Sequence, residues 1–464
     1  MSESVLESED RIDRVAVIGS GVMGAGVAAH CANAGCEVIL LDIVPDGEDD
    51  RNLFSRKAIQ AMVQSDPEML MHKSFAKRII PGNLEDDLQR LKDCDWVIEA
   101  IVERLDIKKS LYQKISQYIG SNTIVSSNTS TLPRSSLIEG MPSEMASRFL
   151  ITHFFNPPRY LPLLEVVSHK QVDQDTITRL AEFADKRLGK RVIHCNDTPG
   201  FIGNRLGVFF IQRALSAAIE HDLTVEQADA MLGLPIGVPK TAVFGLMDLV
   251  GIDLIPHIMA SMLEHLPDDD SLHNFAGYGK EIIQQMIAEG YTGRKSKGGF
   301  YRLNKEGGKR IKEARNLKTG EYAPADRKAG FPSAKMGKQG LARIMDSPDE
   351  GAAFVEDVLL DTLSYAASIV PEVSDDIYSI DVAMKVGFNW KKGPFEMIDS
   401  IGVNNFIERL EKENRSIPKI LHVARNKSFY RIENNKLQYL LATGKYENLK
   451  REEGTRRFSE ERRT

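Results

Sequence analysis

The first two hundred residues alternate between short apolar runs and helical patterns. The run R-V-A-V-I-G spans Arg14 to Gly19, and the run E-V-I-L-L-D spans Glu37 to Asp42. An alanine-rich helical segment lies between them and stops at Gly35, which suits a helix C-terminus. Short β-branched runs without polar alternation are typical of parallel strands that are buried on both faces. The pattern therefore predicts an α/β sheet.

Three further apolar runs continue the alternation, over residues 95–101, 123–130 and 149–156. In open α/β sheets, ligands bind outside the carboxyl ends of the strands. Ser130, His153 and Asn156 fall at such ends. We therefore predict that these three side chains face a ligand.

The first strand runs into a glycine-rich segment, G-S-G-V-M-G, that opens the first helix. Gly19 permits a tight turn, Gly21 lets the backbone approach a pyrophosphate, and Gly24 allows close packing of helix on strand. The helix N-terminus then meets the phosphate charge. Val22 and Met23 lie between the glycines and belong to the same predicted cofactor loop.

The second strand ends in Asp42, eighteen residues after Gly24. A carboxylate at this place accepts a hydrogen bond from a ribose 2′-hydroxyl and repels a 2′-phosphate. No arginine follows within several residues, so NAD is favoured over NADP. Strand, glycines, helix and terminal acid together predict a Rossmann-type dinucleotide-binding domain over residues 1–195.

From about Asn196 the strand signals end and long helical patterns begin. The first of these, D-T-P-G-F-I-G-N-R-L-G-V-F-F, carries Asn204 in its first turns. The pattern predicts a helical domain over residues 196–315.

The helical half contains a weak internal repeat. The segment A-V-F-G-L-M-D-L-V-G-I-D resembles G-P-F-E-M-I-D-S-I-G-V-N, and Asp248 and Gly251 match Asp399 and Gly402. We interpret this as a duplication, with chance similarity as the alternative. The second copy lacks a counterpart of D-T-P-G-F-I-G-N-R, so residues 346–445 are predicted to be a second helical section without a catalytic function.

The stretch between the copies is basic and rich in glycine. It begins R-K-S-K-G-G-F-Y-R-L-N-K and continues to about Lys338. This composition favours a solvated linker, predicted at residues 316–345, over a site for an anionic ligand. A charged tail is predicted at residues 446–464.

Composition excludes some classes of protein. The chain has 464 residues and a net charge of −6, which suggests two or three domains and neither nucleic acid nor an anionic membrane as partner. No apolar run approaches the roughly 20 residues of a membrane helix. The acidic first residues are not expected to be a secretory signal. The cysteines form no C-x-x-C pair, so we expect reduced thiols, no metal site and a cytoplasmic location.

Several of these motifs together resemble a known family. G-S-G-V-M-G-A-G, E-A-I-V-E-R-L-D-I-K-K, S-S-N-T-S, H-F-F-N-P, L-L-E-V and D-T-P-G-F-I-G-N-R-L occur in the order found in the NAD-dependent L-3-hydroxyacyl-CoA dehydrogenases of fatty-acid β-oxidation. The resemblance covers about residues 12 to 430. It implies a Rossmann-type domain followed by two all-α domains, which are duplicated C-terminal domains of the family.

The resemblance also implies a reaction, the oxidation of (S)-3-hydroxyacyl-CoA to 3-ketoacyl-CoA with NAD. His153 would be the general base, since histidine ordinarily titrates near ~6.5. Glu165 would bind its far ring nitrogen, provided that the prolines of N-P-P-R-Y-L-P turn the chain back. Ser130 and Asn204 would hold the substrate oxygen.

By the same resemblance, Glu103, Lys108 and Asn156 lie near the nicotinamide and ribose. Lys73 and Lys77 would contact the phosphates of CoA. A solvated basic face is the alternative for these two lysines, because the sequence departs from the short family members there.

Two other functions stay open. A related dehydrogenase would act on a 3-hydroxy acid or a carnitine ester, and a catalytically inactive scaffold would bind NAD and assemble a β-oxidation complex. The duplicated helical region resembles the dehydrogenase part of the long multifunctional bacterial β-oxidation proteins, in which an enoyl-CoA hydratase segment is fused to the dehydrogenase. That segment is either truncated here or a separate protein, and enoyl-CoA hydratase and thiolase are the expected partners. A monomer, or a dimer through another surface, is predicted, because the second copy would cover the apolar face through which short members pair.

Overall fold

The structure, a computed structural model, describes residues 11–305 and 310–450. Its internal contacts divide the chain into two compact units, with the boundary between Phe201 and Ile202. The first unit is an α/β unit, and the second is mostly helical.

An eight-stranded sheet forms the centre of the first unit. Its strands are β1 (Arg14–Ile18), β2 (Glu37–Asp42), β3 (Ile79–Asn83), β4 (Trp96–Glu99), β5 (Ile124–Ser127), β6 (Phe149–Phe154), β7 (Leu163–Val167) and β8 (Arg191–Cys195). Their order is β3-β2-β1-β4-β5-β6-β7-β8. All neighbours are parallel except β6 and β7, which are antiparallel. The predicted Rossmann-type unit with a parallel sheet is confirmed.

The helices of the first unit connect these strands. They are α1 (Val22–Asn33), α2 (Leu53–Gln64), α3 (Leu105–Ile115), α4 (Arg134–Leu137), α5 (Ser143–Ala146) and α6 (Gln174–Lys186), with 3₁₀ helices at Lys73–Arg78 and Leu88–Asp93. Small residues let α1 lie close to the sheet, where most of its length is buried. On β4, the Trp96 ring packs edge-on against Phe183 of α6, with centroids 6.0 Å apart. This contact packs α6 against the buried face of the sheet.

Eleven helices are described in the second unit. They are α7 (Gly203–Glu220), α8 (Val225–Met231), α9 (Phe244–Val250), α10 (Leu254–His265), α11 (Lys280–Ala288), α12 (Leu341–Met345), α13 (Glu350–Ser368), α14 (Ile377–Gly387), α15 (Pro394–Ile401), α16 (Val403–Lys412) and α17 (Lys419–Ala424), with 3₁₀ helices at Leu234–Ile236, Ser271–Asn274 and Pro332–Gln339. Within the described ranges, no single helix has the length and apolarity to cross a membrane, although α9 and α10 meet that test as a pair bent by 93°.

The expectation that the second half is all-α is wrong, because it also contains two small antiparallel sheets. One consists of β9 (Tyr301–Asn304), β10 (Ile311–Arg315) and β11 (Tyr322–Pro324), and the other of β12 (Tyr430–Glu433), β13 (Lys436–Leu440) and β14 (Tyr446–Asn448). The strands have only three to five residues, which is too short for an alternation of apolar and polar residues to stand out, and many of their positions are charged.

The small sheets also occupy segments with other predicted roles. Strand β11 and helix α12 lie in residues 316–345, where a linker was predicted, and β14 lies at the start of the predicted charged tail. Residues 451–464 of that tail, the acidic first ten residues and residues 306–309 of the basic run lie outside the described part.

The two halves of the second unit share a hydrogen-bond pattern. Asp248 of α9 accepts hydrogen bonds from the two backbone amides at the start of β9, at 2.7 and 2.9 Å. Asp399 of α15 accepts from the two amides at the start of β12, at 2.7 and 2.8 Å. Two tyrosine–carboxylate pairs also correspond, Tyr301 with Asp229 (3.0 Å) and Tyr430 with Asp381 (2.8 Å).

Candidate active site

The glycine loop after β1 has the space that a dinucleotide backbone needs. A Cβ atom on Gly19, whose φ is +100°, would lie 2.5 Å from the carbonyl oxygen of Ala100, and one on Gly24 would lie 1.8 Å from the carbonyl oxygen of Gly19. A Cβ on Gly21 would meet nothing within 4 Å. The first and third glycines are thus required by internal packing, while the open space at Gly21 fits the approach of a pyrophosphate.

Asp42 lies at the end of β2, beside this loop. Its Oδ2 accepts a hydrogen bond from the Ser20 amide at 2.7 Å and another from the Ser20 hydroxyl, and its Oδ1 accepts from the Ile43 amide at 2.7 Å. The carboxylate is therefore already oriented before a ribose hydroxyl arrives.

A groove of about 500 Å³ opens next to Asp42. Its lining residues are Ser20, Gly21, Asp42, Ile43, Phe54, Lys57, Ala58 and Ala61. The groove combines a carboxylate, open backbone at Gly21 and apolar side chains on α2. This combination fits the adenosine half of a dinucleotide.

A buried charge network supports the loops after β4 and β5. Glu99 is fully buried, and its carboxylate accepts hydrogen bonds from Lys108 Nζ, the Tyr112 hydroxyl and the Ser127 hydroxyl, each at 2.6 Å. Lys108 Nζ also lies 3.2 Å from Glu103 Oε2. Lys108, expected near the cofactor, is therefore a buried bridge between two carboxylates.

Glu103 links this network to the loop after β5. Its Oε1 accepts hydrogen bonds from the Thr129 hydroxyl and from the Ser130 amide, the latter at 3.2 Å. Burial would raise the pKa of Glu103, but Lys108 and the Thr129 hydroxyl bring that pKa below its ordinary value. A carboxylate thus fixes the backbone of Ser130.

His153 and Glu165 face each other across the antiparallel pair of β6 and β7. His153 Nδ1 lies 2.6 Å from Glu165 Oε2, and the two side chains are 7% and 0% exposed. The imidazole ring also packs against Phe155 and Phe201, with centroids 4.5 and 5.8 Å away. The contact engages Nδ1, so Nε2 is the ring nitrogen that does not meet Glu165.

The other predicted residues are less closely grouped. Asn156 is exposed in the turn after β6. Lys73 and Lys77 are exposed on the 3₁₀ helix Lys73–Arg78, and neither lines the groove at Asp42. Asn204 is the second residue of α7 and belongs to the second unit.

Four residues of the site escaped prediction from the sequence. Ser20 and Thr129 lie inside the quoted motifs, where hydroxyls next to a glycine loop and next to Ser130 were the available signal. Glu99 is the first glutamate of E-A-I-V-E-R, and its place in a strand gave no indication of a buried charge. Lys57 had no signal, because only the packing of α2 brings it to the groove.

The mostly parallel sheet, the glycine loop, the acid at the end of β2 and a histidine–carboxylate pair on the neighbouring strands β6 and β7 define an NAD-dependent dehydrogenase. Comparisons with known proteins agree. Residues 14–198 match the family described as 3-hydroxyacyl-CoA dehydrogenase, NAD binding domain, and residues 200–303 match 3-hydroxyacyl-CoA dehydrogenase, C-terminal domain. The chain belongs to the 3-hydroxyacyl-CoA dehydrogenase family, a family of oxidoreductases, and its cofactor is NAD.

Individual relatives extend this match. A candidate fatty acid oxidation complex trifunctional enzyme of Rickettsia felis is 39% identical over 92% of this chain, which spans 58% of that relative's length. A probable 3-hydroxyacyl-CoA dehydrogenase of Deinococcus radiodurans is 41% identical, covering 64% of this chain and 84% of its own. The solved 3-hydroxybutyryl-CoA dehydrogenase of Escherichia coli has a TM-score of 0.63 at 22% identity, over 87% of this chain and 94% of its own, and so shares the fold.

Proposed function

We propose that this chain oxidises (S)-3-hydroxyacyl-CoA to 3-ketoacyl-CoA. The observation that carries the proposal is the 2.6 Å contact between His153 and Glu165 in a domain of this dehydrogenase family. NAD supplies the hydride acceptor when it is bound. The chain's own residues bind and orient both reactants and move the hydroxyl proton.

His153 is the proposed general base. Nε2 accepts the proton of the substrate hydroxyl as the hydride leaves C3. Glu165 holds the opposite nitrogen, which fixes the tautomer and the ring orientation and stabilises the imidazolium that forms. Because both side chains are buried, this charge pairing is stronger than it would be in water.

Ser130 and Asn204 are the proposed partners of the substrate oxygen. The hydrogen bond from the Ser130 amide to Glu103 supports the first assignment, since it holds the backbone of Ser130 in place. The assignment of Asn204 rests on the resemblance of its motif. Loss of such a donor costs on the order of 10²–10³ in rate.

The cofactor contacts are proposed for the glycine loop with Val22 and Met23, for Asp42, and for Asn156 and Glu103. We assign Lys108 an indirect part, because both carboxylates that flank it occupy its ammonium. Lys73 and Lys77 are proposed to contact the CoA phosphates, which their exposed position allows.

The proposed metabolic place is fatty-acid β-oxidation in the cytoplasm. The name of the Rickettsia relative, a fatty acid oxidation complex trifunctional enzyme, supports the pathway. Enoyl-CoA hydratase and thiolase are the corresponding partners, because the first makes the substrate and the second consumes the product.

We also propose that the second unit is an internal duplication and that the chain is a monomer. The matching hydrogen bonds of Asp248 and Asp399 support the duplication. Helix α13 packs against α7, where Arg213 Nε donates to Asp361 at 2.6 Å. The second copy thus covers a face of the first. A concentration-independent dimer in light scattering, with the second copy in its interface, would contradict this.

Two alternatives remain distinguishable. A dehydrogenase of 3-hydroxy acids or carnitine esters would not need CoA, and a scaffold would bind NAD without turnover. The oriented His153–Glu165 pair favours an enzyme, because a scaffold has no use for it.

The experiment is the loss of NADH absorbance when the purified chain meets acetoacetyl-CoA. We expect rapid oxidation of NADH, little with NADPH, and none for His153→Gln. The exposed His169→Gln is the matched control and should behave as the unchanged chain. Turnover of acetoacetate or of a 3-ketoacyl carnitine, but not of the CoA ester, would move the function to the first alternative. NADH binding without any turnover would establish the scaffold.

A further inference from the structure

Lys190 is a buried lysine whose ammonium reaches the turn between the strands of His153 and Glu165. It lies between α6 and β8 and is 3% exposed. Its ammonium donates hydrogen bonds to the backbone carbonyls of Pro158 and, at 2.8 Å, Leu161. Both carbonyls belong to the turn that joins β6 to β7, and therefore to the connection between the base and its carboxylate.

The other neighbours of this ammonium that the structure describes are an aromatic ring, a histidine and a cysteine, and none of them is a carboxylate. Nζ lies 5.5 Å from the centre of the Phe154 ring. The titratable groups that interact with it are His30 and Cys31 on α1, and Arg159 in the turn also acts on His30. Burial lowers the pKa of Lys190 to about 8, against a small opposing effect of the Cys31 thiol. Burial and Lys190 likewise lower the pKa of His30 to about 4.

Burial of a lysine in such a place is unfavourable unless its hydrogen bonds matter to the folded chain. The two carbonyls point inwards, so without a donor they would be buried polar groups that lack a partner. An apolar side chain would fill the same space without the unfavourable burial of an ammonium group. The hydrogen bonds of Lys190 therefore stabilise the turn and not the lysine.

The turn is also held from outside. A Cβ atom on Gly26 of α1 would lie 2.9 Å from Pro158 Cδ, so the cofactor helix packs directly on the turn. The Arg159 guanidinium donates to the Leu70 carbonyl at 3.1 Å, and the Tyr160 hydroxyl donates to the Glu68 carbonyl at 2.9 Å. These contacts fix the outer surface, and Lys190 fixes the inner carbonyls.

We propose that Lys190 is a positioning residue of the dehydrogenase, whose ammonium holds the β6–β7 turn and so sets how Glu165 meets His153. This rests on the proposed function, in which His153 is the base. A displacement of about 1 Å at a reacting group can cost about a hundredfold in rate. Partial loosening of the turn is therefore expected to lower kcat at least about tenfold.

The test compares Lys190→Met with Lys186→Met. Methionine fills the space of the lysine stem without donating a hydrogen bond, and Lys186 is an exposed lysine of the same segment, paired with Glu182. With NADH and acetoacetyl-CoA, Lys190→Met should lower kcat at least about tenfold, while Lys186→Met leaves it unchanged. In this direction the reaction also consumes a proton from His153, so both chains should lose rate as pH rises. The unchanged chain should show a further loss through about pH 8, since the neutral amine donates weaker hydrogen bonds, and Lys190→Met should lack that further loss.

A second measurement needs no turnover. The amides of Tyr160 and Leu161 donate to the Pro157 carbonyl inside the turn. Their hydrogen exchange should be faster in Lys190→Met and unaltered in Lys186→Met. An unchanged exchange rate at both amides overturns the proposal, as does a kcat within twofold of the original. Absence of turnover by the unaltered chain would overturn the proposed function alone, and exchange would still decide the role of Lys190.

Discussion

His153 Nδ1 and Glu165 Oε2 lie 2.6 Å apart across the only antiparallel strand pair of the eight-stranded sheet. Every other neighbouring pair in that sheet is parallel. Parallel neighbours need a crossover connection of about a dozen residues or more, so only a reversal of the chain can bring a carboxylate twelve residues further on opposite the histidine. The reversal at the prolines places the acid on the adjacent strand, in direct register with the base.

Replacing Glu165 with Gln should lower kcat about a hundredfold or more. The amide keeps the size of the side chain, but it neither fixes the productive tautomer of His153 nor stabilises an imidazolium. Steady-state kinetics with NADH and acetoacetyl-CoA measure the change. Glu182→Gln, on the exposed face of α6, is the control, and similar kcat values for the two variants would be evidence against the pairing.

The glycine loop offers a pair of opposite predictions. Gly21→Ala should leave the melting temperature unchanged but raise the Kd for NADH about tenfold or more, because its Cβ enters the space for the pyrophosphate. Gly24→Ala should lower the free energy of unfolding by about 1–3 kcal/mol, because its Cβ would lie 1.8 Å from the Gly19 carbonyl oxygen. Calorimetry and NADH fluorescence titration separate the two. Equal effects of both variants on stability would show that the loop adapts.

Cofactor choice should depend on Asp42 and Lys57 together. Asp42→Ala removes the ribose acceptor and the repulsion of a 2′-phosphate, which should raise the KM for NADH about tenfold. Lys57 lines the same groove and can attract the 2′-phosphate of NADPH once the carboxylate is gone. The preference for NADH over NADPH should therefore fall by more than about tenfold. Asp42→Ala combined with Lys57→Ala should restore part of the preference. The exposed Asp46→Ala serves as control, and an unaltered preference in Asp42→Ala would exclude this role.

His221 should make stability depend on pH. The hydrogen bond to Asp357 raises the pKa of this histidine above its ordinary value. Burial opposes this shift, and the hydrogen bond to Glu350 adds to it. A raised folded pKa stabilises the fold at low pH: the contribution is complete below the unfolded pKa, near ~6.5, and is lost as pH rises through the folded pKa. The difference in unfolding free energy between the original chain and His221→Gln should therefore be larger at pH 6 than at pH 9.

Denaturant unfolding at both pH values measures this difference. His257→Gln, an exposed histidine in the same unit, controls for the loss of a titrating group. A larger difference in unfolding free energy at pH 9 than at pH 6 would show instead that the neutral form of His221 stabilises the fold.

Several features were predictable because local chemistry determines them. Gly19 and Gly24 lie in a spacing that only a tight turn and a close helix explain, and Asp42 ends a strand whose apolar pattern marks its limits. The resemblance implied the pairing of Glu165 with His153, and the prolines between them made the required reversal of the chain plausible. The motifs gave the family, and the matched residues 14–198 and 200–303 confirm it.

Other features depended on contacts between residues that are distant in sequence. The small sheets were missed because strands of three to five residues pair through tertiary packing and not through a visible period. Lys108 was expected near the cofactor and is enclosed by Glu99 and Glu103.

The sequence by itself determined the cofactor loop and the order of the two units, because short-range geometry and residue chemistry restrict them, and its motifs implied the histidine with its carboxylate through the family resemblance. Only the tertiary structure decided that Lys57 reaches the groove and that Lys190 holds the turn, since Lys190 and Pro158 are brought together by the packing of β8 beside β7. Their contacts follow from how buried surfaces fit, which no local pattern encodes.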